Sequence, residues 1–100
     1  MEFELLDERV VIRGFDEITA SNASLFKDET RSRIRPEHRI LDIHMSAVRI
    51  LDSSGLGALI ALHKFMCLQK GVVRILNPTP VVEQVLELTR LNRLLDIIKL

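Results

Sequence analysis

Apolar residues along this chain alternate with polar ones near its start. Further on they recur in three- and four-residue steps, in segments separated by glycines and prolines. Phe3 and Leu5, then Val10-Val11-Ile12, predict two short strands parted by the polar turn Asp7-Glu8-Arg9 and closed by Gly14. The pattern then changes. Ile18, Asn22, Leu25 and Phe26 share one side of a predicted helix, with Lys27, Asp28, Glu29 and Arg31 outward and Thr19 or Ser21 as its cap. Pro36 marks a loop, and a strand begins at Arg39 and runs through Ile40-Leu41-Asp42-Ile43-His44-Met45. Val48-Arg49-Ile50-Leu51 is a second short apolar piece. From Ser54 to Lys70, the residues Leu56, Leu59, Ile60, His63, Met66 and Cys67 keep helical steps, and Gly71 is placed to end the helix. Val72-Val73-Arg74-Ile75-Leu76 is the clearest strand. Thr79 as cap and Pro80 at the first helical position open a helix expected to bury Val81, Val82, Val85, Leu86 and Leu88. Leu91, Leu94, Leu95, Ile97 and Ile98 read as a turn followed by a short strand.

Two strands followed by strand–helix alternations predict an α/β fold: a mixed β-sheet of four to five strands with helices packed mainly on one face. The β-α-β steps should be parallel and right-handed. Residues 1–100 are expected to make one domain, because two cores of half that size would each be too small. Fourteen basic residues balance fourteen acidic ones, which argues against a direct nucleic-acid binder, whose phosphate contacts call for a basic excess. Cys67 is the only cysteine, so no internal disulfide is available. It reads as a small buried hydrophobe. Three scattered histidines add no ligand spacing, so neither a metal nor another cofactor is expected. The start, Glu2-Phe3-Glu4, lacks the basic and apolar regions of a signal peptide, and no apolar run approaches the roughly 20 residues of a membrane span. A cytoplasmic protein without membrane insertion is the expectation.

Leu51-Asp52-Ser53-Ser54-Gly55-Leu56-Gly57 joins an apolar strand to an amphipathic helix. Its backbone amides are the unpaired donors of a helix start, which Asp52 or Ser53 can cap. Gly55 and Gly57 keep the first turn open to another surface or to a phosphate. An anion at such a terminus is favoured by about 0.3–1 kcal/mol. A phosphoserine here adds about −1.5 to −2 charges to the surface while the fold survives. Simple helix capping is the plainer reading of the same residues. The string differs from a G-x-S-x-G nucleophile elbow, and neither a P-loop nor an acid–base partner for a triad is identifiable, so no enzyme is expected.

With these residues in order, the chain resembles the STAS domain family, and in particular its bacterial anti-sigma factor antagonists. The likeness runs from the strand and Asp52-Ser53-Ser54-Gly55-Leu56-Gly57 through the apolar helix to Gly71-Val72-Val73-Arg74-Ile75-Leu76-Asn77. It continues over a proline turn and a helix to Leu91 within Thr89-Arg90-Leu91-Asn92. The resemblance implies partner switching. A GHKL-type serine kinase that is also an anti-sigma factor phosphorylates Ser53, directly after the motif aspartate, with Ser54 the second choice. The unphosphorylated form binds this kinase and frees its client, and a PP2C-type phosphatase restores the binding form. The implied partner surface comprises Asp52, Ser53, Ser54, Gly55, Leu56 and Gly57, with Thr19 and Ser21 from the loop after the second strand. The other reading within the family is a constitutive STAS subunit, for example of a phospholipid-trafficking transporter. Two further surfaces stay open. The run from Arg31 to Arg39 is either a solvated helix end or a docking patch for an acidic partner. Leu62 and Phe65 either cover neighbouring elements or stay free for a partner or a weak homodimer.

Overall fold

In the computed structural model, which describes residues 1–100, the two N-terminal strands β1 (Glu2–Leu5) and β2 (Arg9–Arg13) form an antiparallel hairpin. After β2, Gly14 takes a φ of 85°, which favours glycine over other residues. Next come β3 (Glu17–Ile18), α1 (Ala23–Arg33), β4 (Ile40–His44), β5 (Ile50–Leu51) and α2 (Ser53–Leu68). The chain finishes with β6 (Val72–Leu76), α3 (Pro80–Leu88), a 3-10 turn at Leu91–Arg93 and β7 (Asp96–Ile98). The main sheet has the order β1-β2-β4-β6-β7, with every pairing after the hairpin parallel. The four-to-five-strand expectation is met at five, and the mixed character rests on the hairpin.

Period-two alternation divides the sheet into two unlike faces. Val10, Ile12, Leu41, Ile43, Val73 and Ile75 join one buried cluster with Phe26 of α1, Leu59, Leu62 and Met66 of α2, and Val82 and Leu86 of α3. All three helices therefore cover the same face. Across the opposite face, register aligns Glu4, Val11, Asp42, Arg74 and Asp96 in one row. Asp42 is 1% exposed there. It accepts two hydrogen bonds from the Arg74 guanidinium, at 2.6 and 2.8 Å, and Arg9 approaches to 3.6 Å. The hydrogen bonds to Asp42 hold the Arg74 guanidinium above its ordinary pKa, against the opposing effect of partial burial.

Several elements depart from expectation for identifiable reasons. Asn22, not Thr19 or Ser21, occupies the N-cap of α1, and it makes no capping bond. Its side chain is engaged by the preceding loop, accepting from the Thr19 amide (2.8 Å) and donating to the Glu17 carbonyl (2.8 Å). β3 and β5 pair with each other as a separate two-stranded parallel ribbon, a pairing between segments too short to show a period. In α3 only Val82 and Leu86 are buried, while Val81 and Leu88 are 58% and 76% exposed. One i, i+4 stripe suffices where a short helix meets the sheet along a single line. Cys67 is exposed, which corrects its reading as a buried hydrophobe. The core-facing stripe of α2 is Gly55, Ala58, Leu59, Leu62 and Met66, leaving Cys67 on the outer side. Leu62 is fully buried, and Phe65 lies half-buried under the Arg31 guanidinium, 4.8 Å from the ring centroid.

Gly71 follows α2, but it is Lys70 that adopts the left-handed conformation, at φ 60°. A Cβ on Gly71 would stand 2.6 Å from Met66 Cε and 2.9 Å from the Arg39 carbonyl oxygen. Glycine is needed there for close approach. Much of the basic run has structural work: Arg33 stacks 4.1 Å over Phe3 and pairs with Glu29, and Arg39 donates to the Pro36 carbonyl. His38 is buried, with Nδ1 accepting from the Arg35 amide (2.9 Å) and Nε2 facing the Leu6 carbonyl (3.1 Å). That pair of partners fits the neutral imidazole protonated on Nε2. No helix is long and apolar enough to cross a membrane.

Candidate functional site

The serine segment begins where β5 ends. Asp52, in extended conformation, is the N-cap of α2, and its backbone carbonyl accepts the first helical bond from the Leu56 amide at 2.9 Å. Ser53, Ser54 and Gly55 therefore form the first turn. Asp52 Oδ1 accepts from the Gly55 amide (2.9 Å), which caps the helix, and Oδ2 accepts from the Ala20 amide (3.0 Å) across to the β3–α1 loop. These two amides, Gly55 foremost, hold the Asp52 carboxyl below its ordinary pKa of 3.8. One side chain thus starts a helix and tethers a distant loop.

The loop is itself knitted together. Glu17 accepts from the hydroxyls of Thr19 (3.1 Å) and Ser21 (2.8 Å), and those hydroxyls lie 2.9 Å from each other. Thr19 and Ser21 are thereby brought to the end of the molecule that carries Asp52. Ser53 and Ser54 are exposed. Gly57 is exposed too, and a Cβ added to it would meet nothing within 4 Å. Of the residues expected at the partner-facing surface, Gly55 turns inward and Leu56 keeps part of its side chain exposed. Gly55 is buried, so close to β3 that a Cβ would collide with the Ile18 carbonyl, and Leu56 packs partly buried against the core.

A hollow of about 290 Å³ lies beside the serines, lined among others by Ala20, Ser24, Lys27, Ser54, Gly57 and Ala61. Of these, only Ser54 and Gly57 belong to the segment that the sequence singles out. The others are small residues and one lysine facing each other from α1, its preceding loop and α2. Nothing local in the sequence marks them, because the hollow exists only once the helices pack. The largest surface hollow, about 600 Å³, lies elsewhere, between α3 and β7, and includes the ion-paired Glu83 and Lys99.

A family model for the STAS domain matches residues 1–99. The chain belongs to the STAS domain family. A proposed anti-sigma factor antagonist from Thermotoga maritima is 27% identical over 96 residues, covering 95% of this chain and 85% of the relative. A crystal structure described in the same terms, from the same organism, aligns with a TM-score of 0.87 at 26% identity, over 97% of this chain and 84% of the other. The anti-sigma factor antagonist SpoIIAA in its unphosphorylated form gives 0.83 at 22% identity, over 96% and 85% of the two chains. SpoIIAA of Bacillus in its phosphorylated form gives 0.75 at 21%, over 96% and 88%. Likeness to SpoIIAA at these identities is a likeness of fold, and it extends to both of its states. In this STAS chain the hairpin, parallel ladder and helix-covered face are the shared frame on which Asp52 and the serines are set.

Proposed function

We propose that this STAS chain is a partner-switching regulator of the anti-sigma factor antagonist kind, a binding module and not an enzyme. Its unphosphorylated form binds a GHKL-type anti-sigma factor with serine kinase activity and releases that protein's client. Phosphorylation of Ser53 blocks the binding, and a PP2C-type phosphatase reverses it. The observation that carries this reading is the exposure of Ser53 in the first turn of α2, beside a carboxylate whose two oxygens are already held by backbone amides. A phosphate can be added there without displacing packed atoms.

Charge then supplies the switch. A partner carboxylate about 4 Å from the phosphate is repelled by about 4 kcal/mol per unit-charge pair at an effective dielectric near 20. That corresponds to an affinity loss on the order of a hundred- to a thousandfold. The fold likeness to SpoIIAA in both states supports a switch that leaves the fold in place. Asp52 has the indirect part of holding the Ala20 end of the loop against the turn, so that Thr19, Ser21, Ser53, Ser54 and Gly57 present one surface. The histidines have other engagements: His38 is bonded through both ring nitrogens to backbone, and His63 stands against Cys67.

Incubation with GHKL-type kinases and ATP, with the phosphate mapped by mass spectrometry, tests the reading. Phosphate is expected on Ser53. Ser53→Ala should bind the kinase and refuse phosphate, and Ser53→Asp should bind more weakly. Equal affinity of the two variants contradicts the charge mechanism, and no incorporation with any candidate kinase moves the chain to the constitutive-subunit reading.

A further inference from the structure

Lys27 of α1 is half-buried beside the first turn of α2, where it lines the hollow that also holds Ser54. Nothing in the chain neutralises it. Its neighbours three and four residues away along α1 are Ala23, Ser24, Thr30 and Arg31, none of them acidic, so the helix offers it no ion pair. Across the hollow, the wall from α2 is Ser54, Gly57, Ala58 and Ala61. Asp52, bonded to the amide of Ala20, has its two oxygens committed to the Gly55 and Ala20 amides. The ion pairs of the chain all lie elsewhere. Ser24 and Ser54 are exposed, and their hydroxyls carry no side-chain bond of the kind that ties Thr19 and Ser21 to Glu17. One ammonium and two hydroxyls thus border a hollow with no carboxylate in its lining.

We propose that this hollow receives an aspartate or glutamate side chain of the anti-sigma partner, and that Lys27 is the residue that selects it. The inference rests on the partner-switching reading and adds to it the chemistry of the group that docks. A carboxylate accepts from an ammonium and from hydroxyls together, and charge-assisted bonds of this kind are stronger than neutral ones. The rest of the lining is small residues around a space of about 290 Å³, so a side chain can enter without displacing bulky groups. A basic side chain is repelled by Lys27, and an apolar one leaves it without an ion pair, which gives acid the preference. The same placement locates the switch. Ser53 precedes Ser54 in the first turn of α2, so a phosphate on it adds about −1.5 to −2 charges next to the seated carboxylate. That dianion repels the carboxylate and competes with it for Lys27. Without phosphate, the turn leaves Lys27 to the partner.

Affinity for the GHKL-type kinase, measured by titration calorimetry with and without ADP, tests this. Lys27→Ala should weaken binding roughly ten- to a hundredfold, the loss that goes with a hydrogen bond to a charged group. Lys27→Glu should weaken it further, and Lys27→Arg should keep most of it. Lys64→Ala, which removes an exposed lysine farther along α2, should change nothing. Circular dichroism of every variant should match that of the unaltered chain. Reversing one acidic residue of the kinase to lysine should restore binding to Lys27→Glu and so identify the docked group. The penalty of Ser53→Asp should shrink in the Lys27→Ala background. Full affinity in Lys27→Ala, with Ser53→Asp still weakened, overturns the inference and leaves the partner-switching reading standing. An unaltered chain that binds no such kinase overturns both. An equal loss in Lys64→Ala also overturns the inference, as does a Lys27 effect seen only with ADP present, which assigns the hollow to a nucleotide phosphate.

Discussion

A Cβ on Gly55 would collide with the Ile18 carbonyl oxygen and stand 2.7 Å from Leu51 Cδ1, whereas one on Gly57 would meet open space. The first contact is with backbone and cannot relax cheaply. Gly55→Ala should therefore destabilise the fold by about 1–3 kcal/mol or more, the usual range for overpacking. Gly57→Ala should stabilise α2 by up to about 1 kcal/mol, because alanine restricts the unfolded chain and favours the helix. Urea denaturation of the two variants checks both signs. A Gly57→Ala protein that is more stable yet binds its kinase less well is expected if this turn is the docking surface. Opposite outcomes from two glycines so close in sequence would separate packing from function.

At the scale of elements, Asp52 joins α2 to the β3–α1 loop through two amides, Gly55 and Ala20. Its pKa is lowered in the folded chain. A carboxylate depressed in this way stabilises the fold above its unfolded pKa, and the contribution is lost as pH falls through the folded value. Stability should thus decline on acidification below about pH 4, the ordinary carboxylate range. In Asp52→Asn this part of the decline should be absent, with a lower melting temperature at neutral pH. Thermal melts of both proteins across that range provide the check. The variant should also show faster amide exchange in the Thr19–Asn22 loop, since its tether to α2 is weakened.

For the molecule as a whole, the sheet has an apolar face under three helices and an opposite face centred on a buried ion pair. Arg74→Met would leave the Asp42 carboxylate buried with only Arg9 at 3.6 Å. We expect a loss of about 3 kcal/mol, the lower end for a broken buried pair because Arg9 remains. The double variant Asp42→Leu/Arg74→Met should recover most of it, since no charge is left stranded. Chemical denaturation of the two single variants and the double closes the cycle. The kinase binding proposed at the first turn of α2 should be unaffected in any variant that folds.

Periodicity located the hairpin strands, α2, α3 and the parallel strands, because a strand repeats every two residues and a helix every 3.6 wherever one face must be dry. For α1 it gave the helix but not its face, since Ile18 lies in β3 and α1 buries Ala23, Phe26 and Thr30 while Leu25 stays exposed. The helix start at Thr79-Pro80 was equally legible, since the same side chains satisfy a helix terminus in any protein, and the cap of α2 was narrowed to Asp52 or Ser53, between which the structure chose Asp52. Other features had no local signature. The β3–β5 ribbon, the Asp52–Ala20 bond, the collision that demands Gly55 and the hollow beside Ser54 each join segments remote in sequence. Facing directions were likewise decided by packing: which apolar stripe of α2 meets the sheet determined that Cys67 looks outward and Gly55 inward. Local chemistry chooses the elements, whereas burial is a relation between elements, and only the assembled sheet and helices establish it.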